Sequence, residues 1–185
     1  MKPVKLVIAV CLVAVFSVAA ADATTLMPLK LKDMARLAPV VLVGRVEKVE
    51  SGFNSSRTKI YTRAEITPIE VLKGDEPGQK IVVKTIGGRV GDKVARLPGA
   101  PQFSRGEKVL VFIEPRKDND GYNTLGLYLG KFRVFSDPQS GEEKVSRRAA
   151  EPGVTVAGAD KSVVRETVYT LEEVRKLVRK SGGER

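Results

Sequence analysis

The sequence predicts a mainly β fold, built as a small closed or partly open barrel with a short helix before it and an amphipathic helix after it. First, Val, Ile and Leu occur in short runs that Gly, Pro, Asn and Asp separate, which is typical of strands and turns. Second, three of these runs are long and are interrupted near the middle by Gly44, Pro68 or Gly130. Long bent strands allow one sheet to curl and close on itself.

The predicted elements follow in chain order. Leu31, Met34 and Leu37 lie three residues apart, which favours a short helix that Pro39 ends. Five or six strands follow, separated by a polar loop at 51–58 and a long loop at 87–106, and the tail adds one short strand. The predicted strands are Val40–Glu50, Lys59–Leu72, Lys80–Ile86, Glu107–Glu114, Tyr122–Phe135, Glu142–Arg147 and Val154–Val156.

Two of the long strands contain a change of phase. In the first strand the apolar positions slip between Val46 and Val49, shortly after Gly44, which predicts a bulge or a bend. In the second strand Pro68 cannot donate to a ladder, and the inward phase is expected to move to Ile69 and Val71. These bends favour a five- to six-stranded Greek-key barrel of the OB type, with a β-sandwich as the second choice.

A helix with clear boundaries is predicted at the C-terminal end. Thr170 and Glu173 form a capping box, in which the threonine hydroxyl accepts a hydrogen bond from the amide of residue 173. One face of the helix is apolar and is expected to pack on the barrel. Its residues are Leu171, Val174, Leu177 and Val178.

The first 23 residues resemble an export signal. Lys2 and Lys5 precede an apolar run, and Ala21-Asp22-Ala23 fits the small-x-small cleavage rule. The run has about 15 residues, whereas a membrane-spanning helix needs about 20. We therefore predict a signal peptide at 1–23, a barrel domain at 24–147, and an irregular tail with the helix at 148–185. The protein is expected to be periplasmic or secreted after cleavage near Ala23, and not an integral membrane protein.

The composition excludes several classes of enzyme. The chain has 185 residues, a formal net charge of +10, one Cys and no His. Without His there is no Ser-His-Asp triad, Cys-His dyad or imidazole metal ligand. Cys11 lies in the predicted signal peptide, so no disulfide or zinc-thiolate site is expected in the mature chain.

Carboxylate pairs could do acid–base chemistry, but each pair has a structural explanation in a cap, a strand or a turn. These pairs are Glu172-Glu173, Glu142-Glu143 and Asp118 with Asp120. Gly87-Gly88 is interpreted as a turn that needs positive φ, since no G-K-[ST] sequence follows it. We predict no catalytic residue, no metal and no cofactor; a carboxylate- or lysine-based hydrolase without a located site is the remaining enzymatic alternative.

Short motifs in residues 38–114 suggest a family. They are the strand VVLVGRVEKV, the sequence VLKG at 71–74, Gly87-Gly88, PGAP at 98–101 and Gly106-Glu107. Their order resembles that of the netrin-like module of tissue inhibitors of metalloproteinases, an OB-type barrel, and is similar to that of short exported bacterial proteins of unknown function. The inhibitors chelate the protease zinc through a mature N-terminal Cys. This chain is expected to start near Thr24 without a Cys, so zinc chelation does not carry over.

The leading functional hypothesis is an exported, non-enzymatic binding module that engages a protein through its loops. The resemblance implies an exported metalloprotease as the candidate partner. The alternative is a basic envelope protein that binds an anionic polymer or a membrane surface. Nucleic acid is not expected as a partner, because the protein is exported.

Partner contact is expected at the loop 87–106 and at the N-terminal residues, which have no strand pattern. Loops of this length are usually functional or disordered. A competing interpretation is that Leu97 and Phe103 fold the loop over one end of the barrel as a lid. The predicted contact residues are Thr24, Thr25, Arg89, Lys93, Arg96, Leu97 and Phe103.

Overall fold

The computed structural model describes residues 24–75, 78–149, 154–157 and 165–182, so the predicted signal peptide lies outside the described residues. The described chain is mainly β with two α-helices and one 3₁₀ helix, as the sequence predicts. The elements are β1 (Thr24–Leu26), α1 (Leu31–Leu37), β2 (Val40–Phe53), β3 (Ile60–Lys73), β4 (Ile81–Ile86), β5 (Gly88–Val90), β6 (Lys93–Ala95), β7 (Lys108–Pro115), β8 (Tyr122–Thr124), the 3₁₀ helix (Leu127–Gly130), β9 (Lys131–Ser136), β10 (Glu143–Arg147), β11 (Val154–Val156), β12 (Thr167–Thr170) and α2 (Leu171–Gly182).

Five strands close into a barrel, which confirms the predicted fold class. The order around the barrel is β7-β2-β3-β4-β8, and β8 returns to pair with β7. All of these pairs are antiparallel except β4 with β8, which is parallel. The interior is filled by alternate residues of the strands and by one loop residue, Phe103. Its largest fully buried members are Leu42, Ile66 and Ile113.

A second sheet branches from the same barrel strand. The start of β7 pairs with β9, and β10 and β12 extend the sheet further. One face of this branch packs against α1 and α2 in a separate core. At its centre the rings of Phe112 and Phe132 meet edge to face at 5.9 Å. The two layers therefore share β7, whose alternate residues face one core and then the other.

The predicted bend in the first long strand is present. The pairing of β2 with β3 shifts register at three places, one of them between Val43 and Gly44. A Cβ at Gly44 would lie 2.5 Å from Ile66 Cγ2 and 2.8 Å from a backbone oxygen, so only glycine fits this approach. Of the two residues expected to face inward after Pro68, Val71 packs against the barrel core, but Ile69 does not, because its side chain is 54% exposed.

The predicted strand Tyr122–Phe135 is wrong as one continuous element. Gly126 and Leu127 both have positive φ, which ends β8 and starts the 3₁₀ helix. As a result β8 pairs with the end of β7 while β9 pairs with its start. Gly130 allows the turn, because a Cβ there would lie 2.4 Å from the carbonyl oxygen of Leu125.

Two further predictions near the ends need correction. Residues 24–28 have no strand pattern in the sequence, yet Thr24–Leu26 pairs in parallel with Val154–Val156. Isolated three-residue strands leave no periodicity to detect, and the partner is distant in the chain. The short strand after the turn at 136–141 is expected from the sequence to lie at a sheet edge, but β10 is internal, because β9 and β12 lie on either side of it.

The end of β3 is tied to the end of α1 by one buried cation. Lys73 Nζ donates hydrogen bonds to the carbonyl oxygens of Ala35 (2.7 Å) and Arg36 (2.9 Å). These carbonyls have no partner within the helix, and a cation suits the negative end of the helix dipole. Gly74 follows with φ of 92°, and a Cβ there would lie 2.7 Å from the oxygen of Pro39. The VLKG sequence is thus a structural junction.

The helix α2 begins with the predicted capping box. Thr170 Oγ1 accepts from the amide of Glu173 at 3.1 Å, and the Glu173 carboxylate accepts from the Thr170 amide at 2.8 Å. Leu171, Val174 and Val178 are buried in the core that contains α1. Arg175 donates a bidentate pair of hydrogen bonds to Glu70 of β3, which fixes the helix against the barrel.

Candidate functional site: a basic cleft

A cleft with a volume of about 880 Å³ lies between the long loop and the sheet of β9 and β10. Residues 99–107, the second half of the long loop, form one wall. The other wall is the face of β9 and β10 that points away from the helices, with Arg133 and Phe135 on β9 and Ser146 on β10. A concave site of this size is the usual place for ligand binding.

The branching of the sheet explains why this face is open to the cleft. Phe132 and Val134 of β9 point into the core beneath the helices. Because side chains alternate along a strand, Lys131, Arg133 and Phe135 point the opposite way. On β7 the residues of this face point into the barrel interior. Strand β9 lies outside the barrel, so its residues of the same face line the cleft.

Positive charge dominates the lining of the cleft. Six basic residues line it against two acidic residues, Glu107 and Glu166. Arg105 and Arg133 are exposed and form no ion pair with the described part of the chain. The six basic residues are Arg45, Arg105, Lys108, Lys131, Arg133 and Arg148.

Lys131 lies on the wall of the cleft that β9 and β10 form. Its Nζ is 2.6 Å from Glu107 Oε1, donates to the carbonyl oxygen of Gln102 at 2.8 Å, and lies 5.3 Å from the ring centre of Phe103. The Lys131 and Glu107 side chains are 13% and 14% exposed. Burial lowers the pKa of Lys131 against the opposing effect of Glu107.

Two arginines add to the field around Lys131. Arg148 and Arg133 are close enough to lower the Lys131 pKa further by repulsion. Lys131, Arg133 and Arg148 therefore lie close together in the cleft, with Glu107 paired to Lys131. Like charges gathered in a cleft destabilise the free protein and favour an anionic ligand.

The other basic residues of the cleft have partners. Arg45 Nη1 donates to the carbonyl oxygen of Gly106 at 3.0 Å, which holds the loop against β2. Lys108 forms a short ion pair with Glu143 across the sheet. These contacts fix the walls of the cleft, and Arg105 and Arg133 remain exposed beside them.

A second, smaller cleft of about 470 Å³ lies on the outer face of β3 and β4. Asp120 accepts from Arg63 Nη1 (2.7 Å) and Lys84 Nζ (2.6 Å), and these hydrogen bonds lower its pKa. Arg116 donates to both oxygens of Asp118 and lowers the pKa of that carboxyl to about 2. These charges satisfy one another and hold the turn at 116–121 on the sheet, so we assign this network a structural role.

The described residues contain no group of three or more His, Cys, Asp and Glu side chains that could hold a metal ion. The described chain also contains no helix that is both long and apolar enough to cross a membrane.

The predicted contact residues lie in three places. Arg89, Lys93 and Arg96 are exposed on or beside the hairpin of β5 and β6, which the sequence analysis treated as part of a loop. Lys93 Nζ lies 5.7 Å from the ring centre of Phe53. These three cations form no ion pair with the described residues, and they do not line the cleft.

Phe103 and Leu97 face the protein. Phe103 is only 9% exposed and belongs to the barrel core, while Leu97 is half-buried. For Phe103 this is the lid arrangement rather than an exposed contact. Its ring packs in the barrel core, and Lys131, which lines the cleft, lies over it.

The N-terminal residues are paired rather than free. Thr24 takes part in the backbone pairing of β1 with β11, and Thr25 is exposed. A Cβ on Gly99 would lie within 3.6 Å of both Leu26 and Val154, so this small sheet rests on the cleft-forming half of the loop. The structure thus places the N-terminal strand beside Gly99.

The sequence analysis missed Lys131, Arg133 and Arg148. Each looks like an ordinary exposed residue of a strand or its end, and only the pairing of β9 with β7 and β10 brings them together. The available signal was the sequence KFRVF at 131–135, in which polar and apolar residues alternate except that Phe135 occupies a position where the pattern calls for a polar residue. Phe135 is an apolar residue of β9 that lines the cleft.

No protein-family model matches the chain, and no curated protein is significantly similar to it. The resemblance to the netrin-like module therefore remains a prediction.

Proposed function

We propose that this protein is an exported, non-enzymatic binding module that holds an anionic partner in the basic cleft. The observation that supports this function is that six basic residues, among them Lys131, Arg133 and Arg148, line the cleft with two acidic residues. Export is the prediction from residues 1–23.

The scaffold suits binding by a preformed surface. One wall of the cleft is sheet, and the other is a loop whose backbone is tied down at both ends. Gly106 donates its amide to the carbonyl oxygen of Val46, and Gly99 accepts from the amide of Tyr128. A preformed site binds without the cost of ordering its own groups.

The hairpin of β5 and β6 supports a second candidate function. Arg89, Lys93 and Arg96 are exposed there without ion pairs in the described chain, as contact with an acidic protein surface would require. Together with the resemblance to metalloproteinase inhibitors, this keeps an extracytoplasmic protease as a candidate partner. Such contact would use the loops and not a chelating N-terminus.

The cleft can be tested with the mature chain, residues 24–185, and an immobilised acidic polymer such as poly-glutamate. Arg133→Gln removes one exposed cation of the cleft, and Arg179→Gln removes an exposed cation of α2 as the matched control. We expect Arg133→Gln to weaken binding by roughly fivefold to tenfold, which corresponds to about 1 kcal/mol. Equal affinity of the two variants would refute the cleft as the binding site.

The hairpin is tested by the triple change of Arg89, Lys93 and Arg96 to Ala. If the second candidate function is right, inhibition or binding of an exported metalloprotease falls while poly-glutamate binding is unchanged. The melting temperature should stay within about 2 °C, because exposed substitutions rarely change stability by more than about 0.5 kcal/mol. Unchanged protease binding in this variant would refute the role of the hairpin.

A further inference from the structure

We propose that the ligand of the basic cleft is an extended acidic polypeptide segment that places an apolar side chain beside its carboxylates. This inference rests on the proposed function and names the class of partner that the same cleft takes. Three features of the cleft support it: its repeat along β9, its apolar residues, and its arginines.

The first feature is a repeat of about 7 Å along one wall. Lys131, Arg133 and Phe135 are alternate residues of β9 on the face that lines the cleft. Alternate residues of any extended chain lie about 6.6–6.8 Å apart on one side. An extended peptide running along β9 would therefore place successive side chains of one face opposite the ion pair of Lys131 with Glu107, the exposed Arg133 and the ring of Phe135.

The second feature is the apolar surface beside these cations. Phe135 is half-buried and is not part of either core. Tyr128, Ala100 and Pro101 line the cleft as well. A ligand that carried only charge would remove water from this surface without filling it, whereas a peptide can supply an apolar side chain at the right place.

The third feature is the chemistry of the exposed cations. Arg133 lies directly opposite Ser146 on β10, and Arg148 follows two residues after Ser146. The planar guanidinium group presents two parallel donors that match a carboxylate. The hydroxyls of Ser104 and Ser146 also line the cleft and can each donate or accept a hydrogen bond, as peptide amides and carbonyls require.

The experiment compares four polymers on the unmodified mature chain at physiological salt: a random copolymer of Glu and Tyr, poly-glutamate, polygalacturonate and polyphosphate. We expect the copolymer to bind about tenfold more tightly than poly-glutamate per carboxylate, because burying one aromatic ring contributes about 1.4 kcal/mol or more. The other two polymers should bind no more tightly than poly-glutamate.

Two variants assign the effect to the cleft. Phe135→Ser should remove the advantage of the copolymer over poly-glutamate, whereas Arg133→Gln should weaken the binding of both polymers. The matched controls are Val94→Ser, which removes an apolar side chain that is 57% exposed on the hairpin, and Arg179→Gln. The polymer comparison uses the unmodified chain, so it remains decisive if Phe135→Ser does not fold.

The two levels of the proposal fail in different ways. Equal affinity for the copolymer and poly-glutamate, or tighter binding of polygalacturonate or polyphosphate, overturns the peptide assignment while the anionic cleft stands. No effect of Arg133→Gln on any polymer overturns the cleft itself. Loss of the copolymer advantage in Val94→Ser would move the apolar contact to the hairpin and also overturn the assignment.

Discussion

Replacing Lys73 with Met should loosen the junction between α1 and the barrel. The lysine is 9% exposed and its Nζ donates to the carbonyl oxygens of Ala35 and Arg36. Methionine keeps most of the apolar stem but has no donor and no charge. The change therefore tests the hydrogen bonds and the charge at the helix end more than the packing.

The size of the effect follows from the burial of the two carbonyls. The bond to Ala35 is buried, so this oxygen loses its partner without gaining water; the bond to Arg36 is partly buried, and water replaces it more easily. One fully lost charge-assisted hydrogen bond costs about 1.5–3 kcal/mol, and the lost cation at the helix end adds a few tenths or more. We expect a loss of about 2–3 kcal/mol, or about 5–10 °C in Tm for a chain of this size.

The assay is thermal and urea unfolding of the mature chain followed by circular dichroism. Lys59→Met is the matched control, because Lys59 is exposed in the loop before β3 and should change stability by less than about 0.5 kcal/mol. If Lys73→Met unfolds at the same temperature as Lys59→Met, then the lysine does not stabilise the end of the helix and the reasoning is wrong.

Three further predictions concern turns and chemistry. Gly130→Ala should destabilise by on the order of 2–3 kcal/mol, since its Cβ would lie 2.4 Å from a backbone oxygen, while Gly52→Ala, with open space around it, should be near neutral in the same urea titration. Lys144 and two backbone amides lower the pKa of Asp137, so its contribution is present above pH 3.8 and is lost as the pH falls through its lower folded value; Asp137→Asn should flatten the acid limb of a stability–pH curve, and an unchanged limb would contradict this. The protein purified from the exported fraction after expression of all 185 residues should melt at the same temperature with and without reductant, because Cys11 is the only cysteine and is removed with the predicted signal peptide; a reductant-dependent Tm would show that Cys11 is retained.

Features that depend on local pattern could be predicted from the sequence. The capping box at Thr170, the helix before Pro39 and the bulge near Gly44 each involve residues within a few positions of one another. Chain periodicity shows which residues share a face, and local hydrogen bonding shows where a helix starts. Bent strands also indicated that the sheet closes, although not which strands meet.

Features that depend on which distant segments pair were decided only by the tertiary structure. Thr24 pairs with Val154, and the chain after Tyr122 divides between two ends of β7 instead of continuing as one strand. The basic cleft belongs to this class, because Arg133 and Ser146 become neighbours only through the register of β9 with β10. Periodicity shows which face of a strand a residue occupies, but it does not show which strand lies beside it. The cleft exists because β9 alternates in the same way as β7, with which it pairs, but lies outside the barrel.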